Sequence, residues 1–305
     1  MLFRAFTDGS THFLGDYEMT EKLTKVIFSN LDKVLFPKLK ITKAQFIEYY
    51  IKMAPKMLPF LKDRPLMLTR YPEGIEKEGF YAKNAPEGMP DWVNTVKFYS
   101  NSAKRSVNYI ICNDLDTFIW LANLAAIEIH VPLSRVTERE KPDFAFFDID
   151  PEPPATFDDA SEVALLVKMK LDQLKLKSYV KTSGKKGLHI LVPLIQKYTF
   201  HETRSFVHTV GIQLMKESDK VVSEFIDTKK PGKVFVDYTQ NSHGRTMVCP
   251  YSLRVTNDAT VSTPIEWTEL KKRIKPAEFN IQSVTAIKKA PWNDIFENRQ
   301  KLEAK

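Results

Sequence analysis

The stretch Asp143–Pro154, DFAFFDIDPEPP, constrains the fold more than any other part of the chain. In a β-strand, residues two apart point to the same face. Phe144, Phe146, Asp148 and Asp150 therefore share one face, and Ala145, Phe147 and Ile149 share the other. Apolar residues on both faces describe a strand inside a sheet that is covered on two sides. Carboxylates are costly in such a place unless a partner compensates them. A divalent cation with oxygen ligands, Mg²⁺ or Mn²⁺, is the usual partner. Pro151, Pro153 and Pro154 end the strand at once, which puts the pair at a strand end, where open sheets place their sites. Two Asp before prolines also suit an ordinary turn, so the metal reading depends on the rest of the chain.

The chain of 305 residues suits one large domain or two intimate ones. Its net charge of +7 points to a polyanionic partner, of which nucleic acid is the first candidate. Two cysteines, Cys112 and Cys249, exclude a disulfide framework and a cysteine-based zinc site, and they fit a reducing compartment. The N-terminus lacks the apolar core of a secretory signal. No run approaches the roughly 20 apolar residues of a membrane span. The expected location is the cytoplasm.

In order, residues 1–22 read as a loosely attached leader, followed by a short strand at Thr24–Ser29. Lys33, Lys38, Lys40 and Lys43 form a basic rim. Thr42 is a good N-cap for an amphipathic helix through Leu61. Pro65–Tyr71 reads as a strand. Phe80 and Tyr81 follow a glycine; on a strand they read either as one core residue and one exposed residue free to stack a base, or as two core aromatics. Val96–Val107 and Ile110–Cys112 read as strands, Leu115–Ile127 as a helix, and Glu128–Pro132 as a strand carrying His130. Thr156 and Asp159 make a capping box for a helix whose apolar face holds Val163, Leu166 and Met169. Tyr179–Leu194, YVKTSGKKGLHILVPL, reads as strand, glycine-containing loop and strand, with N–H and ammonium groups gathered at the loop as a phosphate nest. His189 leads its second strand. A helix at His201–Ser218 follows, with Phe206, Val210 and Leu214 on its apolar face. Val234–Val236 then deliver a third carboxylate, Asp237, and Arg245 and Arg254 add charge. Thr263–Lys305 reads as helical and charged, anchored by Trp267 and Trp292. Strand-borne Asp with basic residues from separate segments is what metal-assisted phosphoryl transfer requires.

The blocks LDKVLFP with Lys43, GFYAK, IEIHVP, FFDIDP, TSGKKGLHILVPL, KVFVDYTQNS and PYSLR occur here in one order. Together they resemble the polymerase domain of prokaryotic non-homologous end joining, the ligase-D-type polymerase of the archaeo-eukaryotic primase superfamily. The resemblance spans roughly residues 24–295. It implies an α/β primase-polymerase core with an RRM-like catalytic sheet, about residues 140–260, packed on an N-terminal α/β module. On this reading residues 23–295 form a single domain and 296–305 a C-terminal tail.

The resemblance implies that Asp148, Asp150 and Asp237 are the catalytic, metal-binding triad for two Mn²⁺ or Mg²⁺ ions. Ser183, Lys186 and His189 match the loop that holds an incoming NTP or dNTP; His130, Arg245 and Arg254 match further nucleotide-site positions. Lys33 and Lys43 match the grip on a downstream 5′-phosphate, and Phe80 and Tyr81 the aromatic pair on the DNA. The implied activity is ribonucleotide-preferring addition at gapped or broken DNA ends. The implied partners are double-stranded DNA with gaps, ends or overhangs, a separate ligase and a Ku-like protein, with the enzyme near the nucleoid. Tyr81 stands where Phe is usual, which preserves stacking. Alternatives are a primase-polymerase that starts chains de novo, a non-catalytic DNA-end-binding protein, and a two-metal nuclease.

Overall fold

The structure, a computed structural model, describes residues 25–100, 103–224, 230–287 and 291–302, and the backbone of 3–6 and 11–14. The latter two segments, β1 (Phe3–Phe6) and β2 (Thr11–Leu14), pair as an antiparallel hairpin. The rest of the expected leader lies outside the described residues. Residues 26–30 are not a strand. Their backbone is met by side chains of a neighbouring helix instead: Asn123 accepts from Ser29 N–H at 3.3 Å and donates to the Ile27 carbonyl at 3.0 Å. Partners of this kind leave no register for a ladder.

A short hairpin, β3 (Val34–Phe36) and β4 (Ile41–Thr42), leads into α1 (Lys43–Leu61). Thr42 and Gln45 form the capping box, so the helix begins where the sequence places it. Two buried tyrosines tie α1 to the rest. Tyr49 Oη donates to the Tyr251 carbonyl and Tyr50 Oη to the Ile127 carbonyl, both at 2.7 Å. Next come β5 (Met67–Arg70), β6 (Phe80–Ala82), the hairpin β7 (Thr95–Ser100) and β8 (Arg105–Ile110), α2 (Leu115–Asn123) and β9 (Ala126–Pro132). The helix is shorter than its apolar pattern suggests, because Ala125 takes a left-handed conformation (φ 53°) and turns the chain into β9.

The second half holds β10 (Phe144–Pro151), α3 (Phe157–Gln173), β11 (Tyr179–Thr182), β12 (Leu188–Pro193), α4 (Phe200–Glu217), β13 (Val221–Val222) and β14 (Val234–Asp237). After β15 (Thr246–Val248) and β16 (Pro264–Ile265), regular structure in the described C-terminal residues is limited to α5 (Trp267–Leu270), α6 (Ile281–Thr285) and short turns. Pro276 and Pro291 interrupt any longer helix there. Trp267 and Trp292 do anchor this segment: their indole N–H groups donate to the carbonyls of Ser178 and Val180. Phe296 packs on Phe60, and Gln300 N–H donates to the Pro193 carbonyl.

The main sheet has the order β13-β14-β10-β12-β11-β16, with β10 antiparallel to both neighbours. A four-stranded sheet, β15-β9-β5-β6, stands beside it. The alternation of β10 is as the sequence reads. Phe147 meets Phe206 of α4 on one face, while Phe146 meets His189 on the other. On α3 the buried stripe is Ala160, Val163, Ala164, Val167 and Leu171. Met169, expected on that stripe, is exposed, because the stripe is set by the 160/164/167/171 spacing rather than 163/166/169.

Strand β14 pairs with β10 only over Asp148–Pro151. Upstream the ladder is continued by a side chain: the buried Asn241 amide accepts from Phe146 N–H at 2.8 Å and donates to its carbonyl at 2.6 Å. Asn241→Ala strands both backbone groups in the core. We expect a loss of about 2–4 kcal/mol of stability, read as a lower urea midpoint; an unchanged midpoint refutes this role.

Candidate active site

The metal-triad candidates converge at the end of β10. Asp148 lies opposite Asp237 on β14 and opposite His189 on β12, so one cross-strand row carries all three. Asp150 follows on the same face of β10. A quarter of the Asp148 side chain remains open to solvent, yet burial, and then the charges of Asp150 and Asp237, push its carboxyl up to about 7. His189 is buried, and its Nε2 is 3.4 Å from Asp148 Oδ1. Burial, with Lys181 and Arg254 nearby, holds His189 well below the usual imidazole range, so it is neutral at pH 7.

The other two carboxylates are occupied by polar partners. Asp237 accepts from Thr239 N–H at 2.8 Å, Thr239 Oγ1 at 2.6 Å and Gln240 Nε2 at 2.8 Å. Asp150 pairs with Lys186 at 3.2 Å. Among the described residues no three His, Cys, Asp or Glu side chains converge closely enough to hold an ion as they stand. The donor set nonetheless fits a hard divalent cation. It is carboxylate oxygen throughout, and the raised Asp148 carboxyl marks a crowding of negative charge that a cation relieves.

The loop between β11 and β12 leans on this row through its glycines. A Cβ at Gly187 would lie 2.3 Å from the Ile149 carbonyl, and one at Gly184 (φ +75°) 2.5 Å from Arg254 Cγ. Only glycine permits these approaches. The expected N–H nest is partly spent inside the loop, since Lys185 N–H and Gly187 N–H both donate to Ser183 Oγ. What the loop offers outward is ammonium charge, from Lys185 and the half-exposed Lys186.

Opposite the loop, Glu128 organises the cations. It accepts from Arg254 Nε at 2.9 Å and Val255 N–H at 3.0 Å; His130 Nε2 lies at 3.0 Å and Lys185 Nζ at 3.6 Å. Burial alone would raise this carboxyl. The His130 hydrogen bond and the Arg254 charge together outweigh burial and hold it well below the usual range. Arg254 Nη1 also donates to the Ser183 carbonyl at 2.5 Å, joining this network to the loop. Reading the sequence missed Glu128, although its signal was present: a carboxylate two positions from His130 on an apolar strand shares its face.

Arg245 stands apart from this group. It is exposed and lines a cleft of about 560 Å³ with Tyr81, Lys83, Phe98, Tyr99 and Arg139. One wall is the β7–β8 hairpin, where Arg139 lies 3.6 Å over the Phe98 ring. Gln240, which holds Asp237, also lines the cleft. Phe80 and Tyr81 are both about half exposed, at 47% and 49%, rather than one in and one out, because β6 is an edge strand. Arg70 lies 5.1 Å over Phe80 and Lys83 5.7 Å over Tyr81.

Lys33 and Lys43 sit together near Arg70. Lys43 is buried and donates to the Ser29 carbonyl at 2.6 Å; Lys33 pairs with Glu73 at 2.7 Å. Burial, then the charges of Lys33 and Arg70, push Lys43 down to about 8. Crowded positive charge of this kind favours an anion.

No helix among the described residues is long and apolar enough to cross a membrane. Residues 42–296 match the family model described as the LigD primase-polymerase domain. The chain is 36% identical over 281 residues to the bifunctional non-homologous end joining protein LigD of Bacillus subtilis, covering 90% of this chain and 45% of that protein. It is 32% identical over 253 residues to the multifunctional LigD of Mycolicibacterium smegmatis, covering 82% of this chain and 33% of that protein. It thus spans a third to just under half the length of these curated relatives. Its fold is similar to the polymerase domain of Mycobacterium tuberculosis ligase D in complex with DNA, with a TM-score of 0.79 and 30% identity over 86% of this chain and 94% of that one. The chain belongs to the LigD primase-polymerase family and is a nucleotidyltransferase domain of that type.

Proposed function

We propose that this domain adds nucleotides to a primer 3′-OH at gapped or broken DNA ends, as a repair polymerase of non-homologous end joining. The observation that carries the reading is the cross-strand row that sets Asp148 opposite both Asp237 and His189, with the lysine loop beside it. Asp148, Asp150 and Asp237 would hold two Mn²⁺ or Mg²⁺ ions, which when bound activate the attacking oxygen and stabilise the leaving one.

The protein's own groups do the remainder. Lys185, Lys186 and Arg254 supply positive charge for a triphosphate and its pyrophosphate leaving group. Glu128 fixes Arg254, and Ser183 fixes the loop. The cleft of Tyr81, Lys83, Phe98, Tyr99 and Arg139 has the aromatic and cationic lining that suits single-stranded nucleic acid. DNA as the partner is supported by the net charge of +7 and by the DNA complex of the similar M. tuberculosis domain. A ligase and a Ku-like protein acting with it belong to the same reading, as does a preference for ribonucleotides.

Lys33, Lys43 and Arg70 form the anion site for a downstream 5′-phosphate. Primer extension across a short gap, with NTPs or dNTPs and with or without that phosphate, tests the proposal. Lys33→Ala is expected to cut extension about tenfold, one charge-assisted contact's worth, only when the phosphate is present. Extension indifferent to both phosphate and Lys33 favours a primase-polymerase that starts chains de novo.

A further inference from the structure

We propose that Ser252 is a positioning residue for Arg254: its buried hydroxyl sets the register of the 249–255 turn on β9, and that register brings Arg254 onto Glu128 and the 183–187 loop. The turn begins where a regular ladder ends. Strand β15 pairs with β9 from Thr246 opposite Pro132 to Val248 opposite His130, and Cys249 N–H still donates to the Ile129 carbonyl at 2.8 Å. Pro250 follows and has no N–H to give. Tyr251 then takes a left-handed conformation, φ 66°, an outlier for so bulky a residue. Such a conformation persists only where its surroundings hold it. Here Tyr49 Oη donates to the Tyr251 carbonyl, and Tyr251 N–H donates to the Ser262 carbonyl, both at 2.7 Å.

The reversal at Tyr251 returns the Ser252 side chain to β9. Its hydroxyl, with no solvent exposure, donates to the Leu253 carbonyl at 3.1 Å and accepts from Ile129 N–H at 2.9 Å. Two residues earlier on β9, Tyr50 Oη donates to the Ile127 carbonyl at 2.7 Å and accepts from Leu253 N–H at 3.4 Å. Two hydroxyls thus replace the ladder bonds that β15 no longer makes, one on each side of Glu128 in the strand. Glu128 in turn takes the far end of the turn, accepting from Arg254 Nε at 2.9 Å and from Val255 N–H at 3.0 Å.

The turn is therefore pinned to β9 at its start by Cys249, in its middle by Ser252 and at its end by Arg254 and Val255. Arg254 N–H donates to the Thr260 carbonyl at 2.8 Å, which closes the turn on its own return and does not fix it on β9. Alanine at 252 leaves Ile129 N–H without an acceptor in the interior. The middle pin is lost, the turn shifts against β9, and the Glu128–Arg254 pair loosens.

The register claim depends on this geometry alone; its effect on nucleotide binding rests on the polymerase reading above. The test joins ¹⁵N NMR of the full chain to a double-mutant cycle. Hydrogen exchange is followed at the Ile129 amide and at Arg254 Nε–H, the latter assigned through Arg254→Lys. KM for the nucleotide is measured for Ser252→Ala, Arg254→Ala and the pair. In the wild type the Ile129 amide is expected to exchange on the order of a hundredfold or more slowly than in an unfolded chain. Ser252→Ala is expected to speed exchange at Arg254 Nε–H and to raise KM, each about fivefold, with a smaller change in kcat. On the Arg254→Ala background the same substitution is expected to leave KM unmoved. Ser252→Cys, which keeps the size and a weak acceptor, is expected to fall between wild type and Ala, and carries the same test if the Ala variant does not fold. An Ile129 amide in the wild type that exchanges like an unfolded chain overturns the proposal, whether or not any variant folds. Unchanged exchange at Arg254 Nε–H in a folded Ala or Cys variant overturns it as well. An equal rise in KM with Arg254 already absent gives Ser252 a structural role only and also overturns it. The expected exchange in a wild type that adds no nucleotide would fault the polymerase reading and leave the role of Ser252 standing.

Discussion

Replacing Asp148 with Asn is expected to abolish nucleotide addition and, in the same molecule, to raise stability when no divalent cation is present. The carboxyl is pushed up to about 7 by burial and by its two acidic neighbours. A carboxyl whose folded value lies above its unfolded value binds protons more tightly in the folded state. Stability then falls as pH rises from about 4 to about 7. At pH 8 the parent carries the whole penalty, and the amide carries none. Three pH units at 1.36 kcal/mol each set an upper limit of about 4 kcal/mol; partial solvent access reduces this to the order of 2 kcal/mol. Thermal unfolding in chelator at pH 5 and pH 8 measures it. The variant should unfold several degrees higher at pH 8, and the gap should narrow at pH 5. Mn²⁺ should raise the parent's Tm and leave that of the variant nearly unmoved. A variant less stable than its parent at pH 8 would refute this electrostatic picture.

Glu128→Ala is expected to have the opposite character. It removes the common partner of Arg254, Val255 N–H and His130, with Lys185 close by. Removing one side of a buried ionic network costs about 3–5 kcal/mol, a large share of the 5–15 kcal/mol that holds a typical domain together. The sign of the pH dependence is fixed by the depressed carboxyl. Its stabilisation is fully present above the unfolded carboxyl range near 4.5 and is lost only as pH falls through the folded value. The deficit of the variant should therefore be constant between pH 6 and 9 and shrink in acid. Urea unfolding across pH reads this. Extension by the folded fraction should also fall, because Arg254 loses its fixed position beside the Ser183–Gly187 loop. A deficit below about 1 kcal/mol at pH 7, or one that grows in acid, would contradict this account of Glu128.

What the sequence disclosed was local. The face alternation of Asp143–Pro154, the N-cap at Thr42, the capping box at Thr156, and the glycine loop before His189 are written in residues a few positions apart, and the structure has them. Residues 26–29 read as a strand and are not one, because Asn123, nearly a hundred residues away, meets the backbone of Ile27 and Ser29. Met169 was misread because three apolar residues fit two neighbouring helical stripes, and only packing selects one. The partner of each site residue was beyond local reading. The row Lys181, His189, Asp148 and Asp237 is created by pairing strands β11, β12, β10 and β14, and register between strands leaves no mark at short range. Asn241 illustrates the same point: its place in the DYTQNS block gives no hint that its amide completes the ladder beside Phe146. The basic and aromatic cleft went unseen for a like reason, since the Tyr81, Phe98, Arg139 and Gln240 that line it come from four separate segments.

The most direct test is single-turnover extension of a primer on a gapped duplex with Mn²⁺, by wild-type protein and by Asp148→Asn, Asp150→Asn and Asp237→Asn, each first shown to be folded. Template-complementary addition by the wild type, with each variant slowed by on the order of a thousandfold or more, is the expected result for one shared centre. Wild-type rates in any of the three variants, or no addition by the wild type with Mn²⁺ or Mg²⁺, would contradict it.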